Sequence, residues 1–265
     1  MPELAEVEFY RKQWDASLAQ AVARVAVHAN KRIFRGTDVR VMTRALPGLR
    51  YRESFARGKQ MLFRFGGQAW IGIHLGMTGK LRSEQLPFRP TKHDHLVITL
   101  KTVALVFRDP RQFGRVHFHQ GTQPPDWWTK IPPAPTDRGF TQKLVEQFLA
   151  RHRRLPIKAT LLLQRGFPGI GNWMADEILW QSGVAPARKT AQLSETEVHR
   201  LWTTIRNVCR TAMRTIGRDF SDPPLDWLFH QRWSRTGLCP RHKTALNCAV
   251  IGGRTTVWCA KCQPS

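Results

Sequence analysis

Five prolines fall within the thirteen residues QPPDWWTKIPPAP, 123–135, and no other feature constrains the fold of this chain as strongly. Proline fixes φ and removes a backbone donor, so neither a helix interior nor a central strand can run through such a stretch. The chain is therefore expected to divide there, with a linker over residues 123–136.

The two sides of that break differ in pattern. Before it, short β-branched and aromatic runs recur at RVAVHA (24–29), MLFRF (61–65), WIGIHL (70–75), HLVITL (95–100) and VALVFR (103–108), separated by turn residues. Several short strands at close spacing predict an antiparallel sandwich or barrel over residues 1–122. After the break the periodicity becomes helical. Phe140, Leu144 and Phe148 recur four apart, PIKATLLLQ starts with proline at a first helical position, and NWMADEILWQS follows a glycine-rich turn. Ser194 and Glu197 form a capping box ahead of the stripe Val198, Leu201, Ile205, Val208, Ala212 and Ile216, which runs to Gly217. The fold class is thus α+β, with a helical domain over 137–234 and a short tail segment over 235–265.

That tail is chemically distinctive. Four of the five cysteines lie in the last 27 residues, where Cys239 and His242 are separated by two residues, sixteen follow, and Cys259 and Cys262 are again separated by two. Two such knuckles bring four ligands around one tetrahedral zinc ion, which replaces the core so short a segment cannot build. With four protein ligands the ion is structural. Cys248 is an alternative to His242, though its place inside the intervening loop suits the geometry less well. Cys209, alone at a helical spacing, is expected to be a buried structural thiol.

Charge narrows the partner. With 42 Lys and Arg against 19 Asp and Glu, the formal net charge is +23. Such a surface concentrates phosphates and speeds their encounter, so a polyanionic partner is expected. No run of about 18 apolar residues and no signal-peptide pattern is visible, so an intracellular, cytoplasmic protein without a membrane partner is expected. Two local features suit phosphate: GGRTT (252–256), a tight turn presenting Arg254, and RGFPGIGN (165–172), whose backbone N–H groups and Asn172 lead into a helix.

The start, MPELAEVEFY, reads as a helix of three to four turns, with Glu3 and Glu6 favouring its N-terminus and Val7, Tyr10, Trp14 and Leu18 along one face. That reading leaves Pro2 unexplained.

Taken together, PELAEVE, RGKQMLF (57–63), HLGMTGKL (74–81), KHDH (92–95), DPRQFG (109–114), Ile157–Lys158, GIGNWMADEILWQSGVAP (169–186) and the tail resemble the formamidopyrimidine-DNA glycosylase and endonuclease VIII family, on its formamidopyrimidine side. The resemblance covers nearly the whole chain. It implies an N-terminal β-sandwich catalytic domain with flanking helices, a helix-two-turn-helix domain, a zinc finger, and double-stranded DNA in the cleft between, the protein acting as a monomer. It implies that Met1 is removed and that the Pro2 amine attacks C1′ of the damaged nucleoside, forming a Schiff base that leads to β,δ-elimination and strand cutting. Glu3 resembles the catalytic acid and base, and Glu6 a carboxylate orienting the N-terminal segment. Lys59, Asn172 and Arg254 match positions that bind the phosphates flanking the lesion, with Lys158 in the same lining. His74 and His93 match positions in the groove, His93 with Asp94 alternatively structuring its own turn. Met77, Arg111 and Phe113 match the triad that fills the void left by the flipped base.

This chain departs from the pattern in having Ala5 for a proline, Gln112 for a basic residue and His242 for a cysteine. Residues 218–233 form a short, proline-stiffened segment where 8-oxoguanine enzymes carry a flexible loop. The expected substrates are therefore oxidised or ring-opened purines, with formamidopyrimidines expected and 8-oxoguanine left open. An oxidised-pyrimidine glycosylase and a noncatalytic damaged-DNA-binding protein remain the alternatives.

Overall fold

In the computed structural model, which describes residues 1–234 and 236–264, the chain divides into two compact units. One comprises Met1–Pro2 and Glu6–Ile131, the other Glu3–Ala5 and the chain from Pro132 onward. The expected limits of the tail segment, residues 235 and 265, lie outside the described residues.

The chain opens with α1 (Leu4–Lys12), shorter than the apolar stripe suggested. Arg11 binds Glu8 and Asp15, and Asp15 also accepts from Ser54 at 2.5 Å, so residues 15–17 are drawn into a 3₁₀ turn. Trp14 is still buried, its Nε1–H donating to the Arg82 carbonyl at 3.0 Å, but Leu18 is exposed.

Eight strands follow in the first unit: β1 (Arg24–Val27), β2 (Tyr51–Arg57), β3 (Gln60–Phe65), β4 (Ala69–His74), β5 (Lys80–Gln85), β6 (Asp94–Thr99), β7 (Val103–Arg108) and β8 (Arg115–Gln120). They form two antiparallel sheets, ordered β1-β6-β7-β5 and β2-β3-β4-β8. Alternate residues of each strand face inward. Tyr51, Phe63, Phe65 and Ile71 from one sheet join Leu81, Leu96, Ile98 and Phe107 from the other in a single core, the expected sandwich. A short helix, α2 (Val39–Ala45), is capped by the Asp38 carboxylate on the Val41 N–H.

The proline-rich stretch is not wholly irregular. Its centre forms one helical turn, α3 (Asp126–Thr129), because Pro125 stands just before the first turn, where a missing N–H costs nothing. Trp128 packs on Leu62 and Trp70, and the Trp127 ring lies over Gly72 so closely that a Cβ there would meet it at 2.5 Å.

The second unit carries α4 (Gln142–Arg151), α5 (Ile157–Leu161), α6 (Asn172–Ser182), α7 (Glu195–Arg214), α8 (Ile216–Asp219) and a hairpin of β9 (Asn247–Ile251) with β10 (Arg254–Trp258). Helix α4 buries a different face from the one expected. Thr141 caps it, so Phe140 lies ahead of the helix, while Val145 and Leu149 are buried and Leu144 is exposed. Pro156 occupies the N-cap of α5 rather than its first turn. Helix α6 ends at Gly183, which adopts φ 68° as left-handed helix ends require. The Ser194–Glu197 box starts α7, whose Val198, Leu201, Ile205, Val208 and Ala212 are all buried, but the helix stops at Arg214 and Ile216 belongs to α8. Cys209 is fully buried among them, and burial pushes its thiol up, away from reactivity. Among the described residues no helix is long and apolar enough to cross a membrane.

Candidate functional site

The N-terminal segment is held by a carboxylate. Glu3 is 3% exposed and accepts N–H bonds from Gly171 at 2.9 Å, Trp173 at 3.0 Å and Met174 at 3.1 Å. These are among the donors that α6 leaves unpaired at its N-terminus, so the glutamate satisfies them and complements the helix dipole. The Leu4 N–H donates to the Gly169 carbonyl at 3.0 Å, completing the clamp. Gly171 must be glycine, since a Cβ there would lie 2.2 Å from the Glu3 carboxyl carbon. The glycine-rich turn therefore binds an anion as its sequence suggests, the Glu3 carboxylate taking the Gly171, Trp173 and Met174 N–H groups. Pro2, half-buried, is the next residue back, and Met1 before it is exposed.

In the second unit the fold brings Asn172 to the strand that carries Arg254. The Asn172 Nδ2 donates to the Thr255 carbonyl at 2.8 Å, fixing β10 against the start of α6. Arg254 is exposed at the first position of β10, after the two-residue turn Gly252–Gly253 with φ of 61° and 74°. Positive φ at both positions is what a tight hairpin turn demands. A Cβ at Gly252 would also strike Ala159 of α5 at 2.6 Å, so the hairpin seats on that helix.

Lys158 departs from the expectation of a phosphate-lining residue. Its side chain is fully buried, with Nζ 2.5 Å from Asp176 Oδ1 and 2.7 Å from the Asn172 carbonyl. Burial lowers its pKa and Asp176 opposes that shift. A lysine so enclosed has no donor facing outward; its ammonium fixes the backbone of Asn172 instead.

In the first unit Lys59 stands just before β3, whose first residue Gln60 pairs with His74 at the end of β4. Lys59 is 8% exposed, and His74 Nδ1 accepts the Gly76 N–H at 3.0 Å. Burial, then Lys59 and Arg35, hold the His74 pKa below the ordinary histidine value. Nearby His117 is pushed down to about 4 by burial and then by Arg115, Arg35 and His74. Lys59, Arg35 and Arg115 thus gather around two histidines, and a cluster of positive charge of this kind favours a bound anion. Sequence reading missed Arg35, Arg115 and His117, which only the fold brings together: Arg35 reaches the Gly114 carbonyl from a turn outside the sheets, while Arg115 and His117 lie on β8.

Met77 and Phe113 are 44% and 40% exposed, and the Arg111 guanidinium lies 4.8 Å from the Phe113 ring centre. All three stand on loops at one end of the sandwich, Met77 between β4 and β5 and the others between β7 and β8. His93 contributes through its backbone, its carbonyl accepting the Asp109 N–H at 3.1 Å. Asp94 is buried and binds Thr91, Arg82 and Arg108, which fixes the turn that carries His93.

In the tail, Cys239, His242, Cys259 and Cys262 converge with their ligand atoms within 4.8 Å of one another. Cys262 Sγ lies 3.3 Å from His242 Nδ1 and 3.6 Å from Cys239 Sγ, and Cys259 Sγ lies 3.7 Å from His242 Nδ1. Tetrahedral bonds of about 2.0–2.3 Å imply edges of about 3.5–3.8 Å, so this cluster can hold a metal ion. Cys248 lies exposed in β9 and outside it.

The family model for the formamidopyrimidine-DNA glycosylase N-terminal domain matches residues 1–116, and that for the formamidopyrimidine-DNA glycosylase H2TH domain matches 131–222. The chain is 33% identical to the formamidopyrimidine-DNA glycosylase of Carboxydothermus hydrogenoformans, over 99% of this chain and 100% of that one. It is 32% identical to the enzyme of the same name from Thermus thermophilus, over 99% and 98%. Among solved structures, the wild-type Lactococcus lactis Fpg (MutM) in complex with DNA containing N7-benzyl-Fapy-dG is similar with a TM-score of 0.89 at 27% identity, each chain fully covered.

Proposed function

This chain belongs to the formamidopyrimidine-DNA glycosylase family, and from that premise we propose that its N-terminal proline carries the reaction. The protein is a DNA glycosylase of base-excision repair that acts on oxidised purines and carries the strand-cutting lyase activity of its family. Its partner is lesion-containing DNA.

Removal of Met1 turns Pro2 from an amide into a free secondary amine, whose α-amino character leaves a useful neutral fraction near pH 7. The amine attacks C1′ of the damaged nucleoside as the C1′–N bond to the base breaks, and the base leaves with a proton. The C1′–O4′ bond then breaks as O4′ takes a proton, leaving an iminium on the Pro2 nitrogen. This acidifies the C2′ proton, whose removal expels the 3′ phosphate by β-elimination, and a further proton loss expels the 5′ phosphate by δ-elimination. Glu3 serves the sugar oxygen and these proton transfers. The observation that carries this reading is the clamp of Glu3 on Gly171, Trp173 and Met174, which anchors the residue next to the nucleophile.

The phosphates flanking the lesion fall to Lys59 and His74 on the first unit and to Asn172 and Arg254 on the second, consistent with the excess of positive charge. Met77, Arg111 and Phe113 occupy the space vacated by the flipped nucleotide. The Cys239, His242, Cys259 and Cys262 cluster holds one structural zinc; with four protein ligands the ion supplies folding energy to the hairpin that bears Arg254, and no catalytic chemistry. We place the protein in the cytoplasm, acting as a monomer.

Borohydride trapping on a duplex with one ring-opened guanine tests the reading. A covalent adduct that is lost in Pro2→Gly is expected, with the intact mass showing Met1 absent. No adduct across ring-opened guanine, 8-oxoguanine and thymine glycol duplexes would overturn it in favour of a noncatalytic DNA binder.

A further inference from the structure

The loop bearing Met77 and the loop bearing Arg111 and Phe113 lie more than thirty residues apart in sequence, yet one buried side chain ties them together. Asp109 is 0% exposed. Its Oδ1 accepts the Thr78 hydroxyl at 2.8 Å, and its Oδ2 accepts the Gly114 N–H at 2.7 Å. Thr78 is the residue after Met77, and Gly114 the residue after Phe113. The backbone of Asp109 is engaged as well: its N–H donates to His93 at 3.1 Å, and its carbonyl accepts from Gln112 at 3.2 Å and His95 Nε2 at 3.0 Å.

Glycines close the space between the two loops. A Cβ at Gly76 would lie 2.4 Å from both the Gly114 nitrogen and the Phe113 carbonyl carbon, and Gly76 has φ 65°. A Cβ at Gly114 would lie 2.9 Å from Asp109 Oδ2. The loops therefore meet backbone to backbone, with the carboxylate as their shared acceptor. Burying a carboxylate is costly unless its oxygens are bonded, and here each is spent on a different loop. A residue that served only its own turn would not reach Thr78.

We propose that Asp109 is a positioning residue for void filling: it locks Met77 to Arg111 and Phe113, so that the three exposed side chains enter the DNA as one preset unit. Asp109 touches neither the DNA nor the reacting sugar. The inference rests on the proposed role of these three residues beside a flipped nucleotide. Preorganisation matters because a misplacement of about 1 Å can cost about a hundredfold in rate.

Single-turnover assays on two duplexes test it, one with a ring-opened guanine and one with a preformed abasic site. Excision needs a base to be displaced, whereas cutting at the abasic site does not. Asp109→Ala is expected to slow excision about tenfold or more while cutting at the abasic site changes about twofold or less. Thr78→Val, which keeps the shape and removes one tie, should slow excision several-fold and lower the melting temperature by only a few degrees, leaving the protein folded at the assay temperature. Asp109→Asn should recover most of the excision rate, because its amide can donate to the Thr78 oxygen while its carbonyl accepts from Gly114. Fluorescence of 2-aminopurine opposite the lesion, which reports the wedge, should fall in step with excision. The proposal is overturned by Thr78→Val excising at the wild-type rate, or by Asp109→Ala slowing both duplexes equally. Absence of excision and trapping by the wild-type enzyme would overturn the parent reading instead.

Discussion

Lys158 and Asp176 form a 2.5 Å ion pair in which neither side chain is exposed. The second Asp176 oxygen accepts from Arg232 Nη2 at 2.6 Å and from the Val257 N–H at 3.4 Å. One carboxylate thus joins α5, α6, the segment after α8 and the β9–β10 hairpin. Removing it strands two cations in a dry site, which costs about 3–5 kcal/mol. Asp176→Ala is expected to unfold at markedly lower urea than wild type. Lys158→Met should lose less, because Arg232 still neutralises the carboxylate. Urea titrations of both variants check the order.

The Glu3 clamp makes a separate prediction. Its Oε2 serves both Gly171 and Met174 and its Oε1 serves Trp173, so Glu3→Gln must set an amide NH₂ against at least one N–H donor. The cost should be about 1–2 kcal/mol by urea titration. Excision should fall about a hundredfold or more, the usual share of a general acid–base group. Pro2→Gly should abolish trapping yet leave the urea midpoint close to wild type, which separates nucleophile from clamp.

The contrast between these residues shows what a sequence can reveal. Helices α6 and α7 were legible because their ends are marked locally, by Gly183 and by the Ser194–Glu197 box. The buried face of α4 was not, since Phe140 mimics the helix period while standing before the cap at Thr141. Strands β2, β5 and β8 escaped notice because charged residues such as Arg52, Glu53, Arg82 and Glu84 interrupt their apolar runs, the solvent side of a half-buried strand. The four residues that can hold a metal ion were legible by spacing, which left Cys248 as an alternative to His242. The burial of Lys158 was not, because its partner Asp176 is eighteen residues away and only the fold brings them together. The partner of Glu3 lies farther still along the chain.

Glu177 predicts a pH dependence of stability. It is fully buried, accepts from Gln181 Nε2 at 2.7 Å and the Phe229 N–H at 2.9 Å, and burial pushes its pKa from 4.5 up to about 7. Below pH 4.5 the carboxyl is protonated whether the chain is folded or not. As the pH rises toward 7 the unfolded chain releases that proton and the folded chain keeps it, so stability falls through this window and is lowest above it. The full loss is on the order of 3 kcal/mol. Glu177→Gln mimics the protonated group, and its urea midpoint should vary less between pH 5 and pH 8 than that of the wild type, as measured at those two values.

Metal content discriminates among the tail cysteines. Ligand atoms of Cys239, His242, Cys259 and Cys262 converge, while Cys248 stands apart in β9. Zinc released by a mercurial and measured with a chromogenic chelator should amount to one equivalent per chain in wild type and in Cys248→Ser. Cys262→Ser and His242→Ala should bind little, since a four-ligand site that loses one ligand opens to water and loses affinity. Because the ion stands in for a core in this segment, its removal should melt the hairpin that presents Arg254 and weaken DNA binding. The salt dependence of binding should flatten by about one phosphate's share, as in Arg254→Ala. A Cys248→Ser variant depleted of zinc, or an Arg254→Ala variant with an unchanged salt slope, would show that the hairpin is organised in some other way.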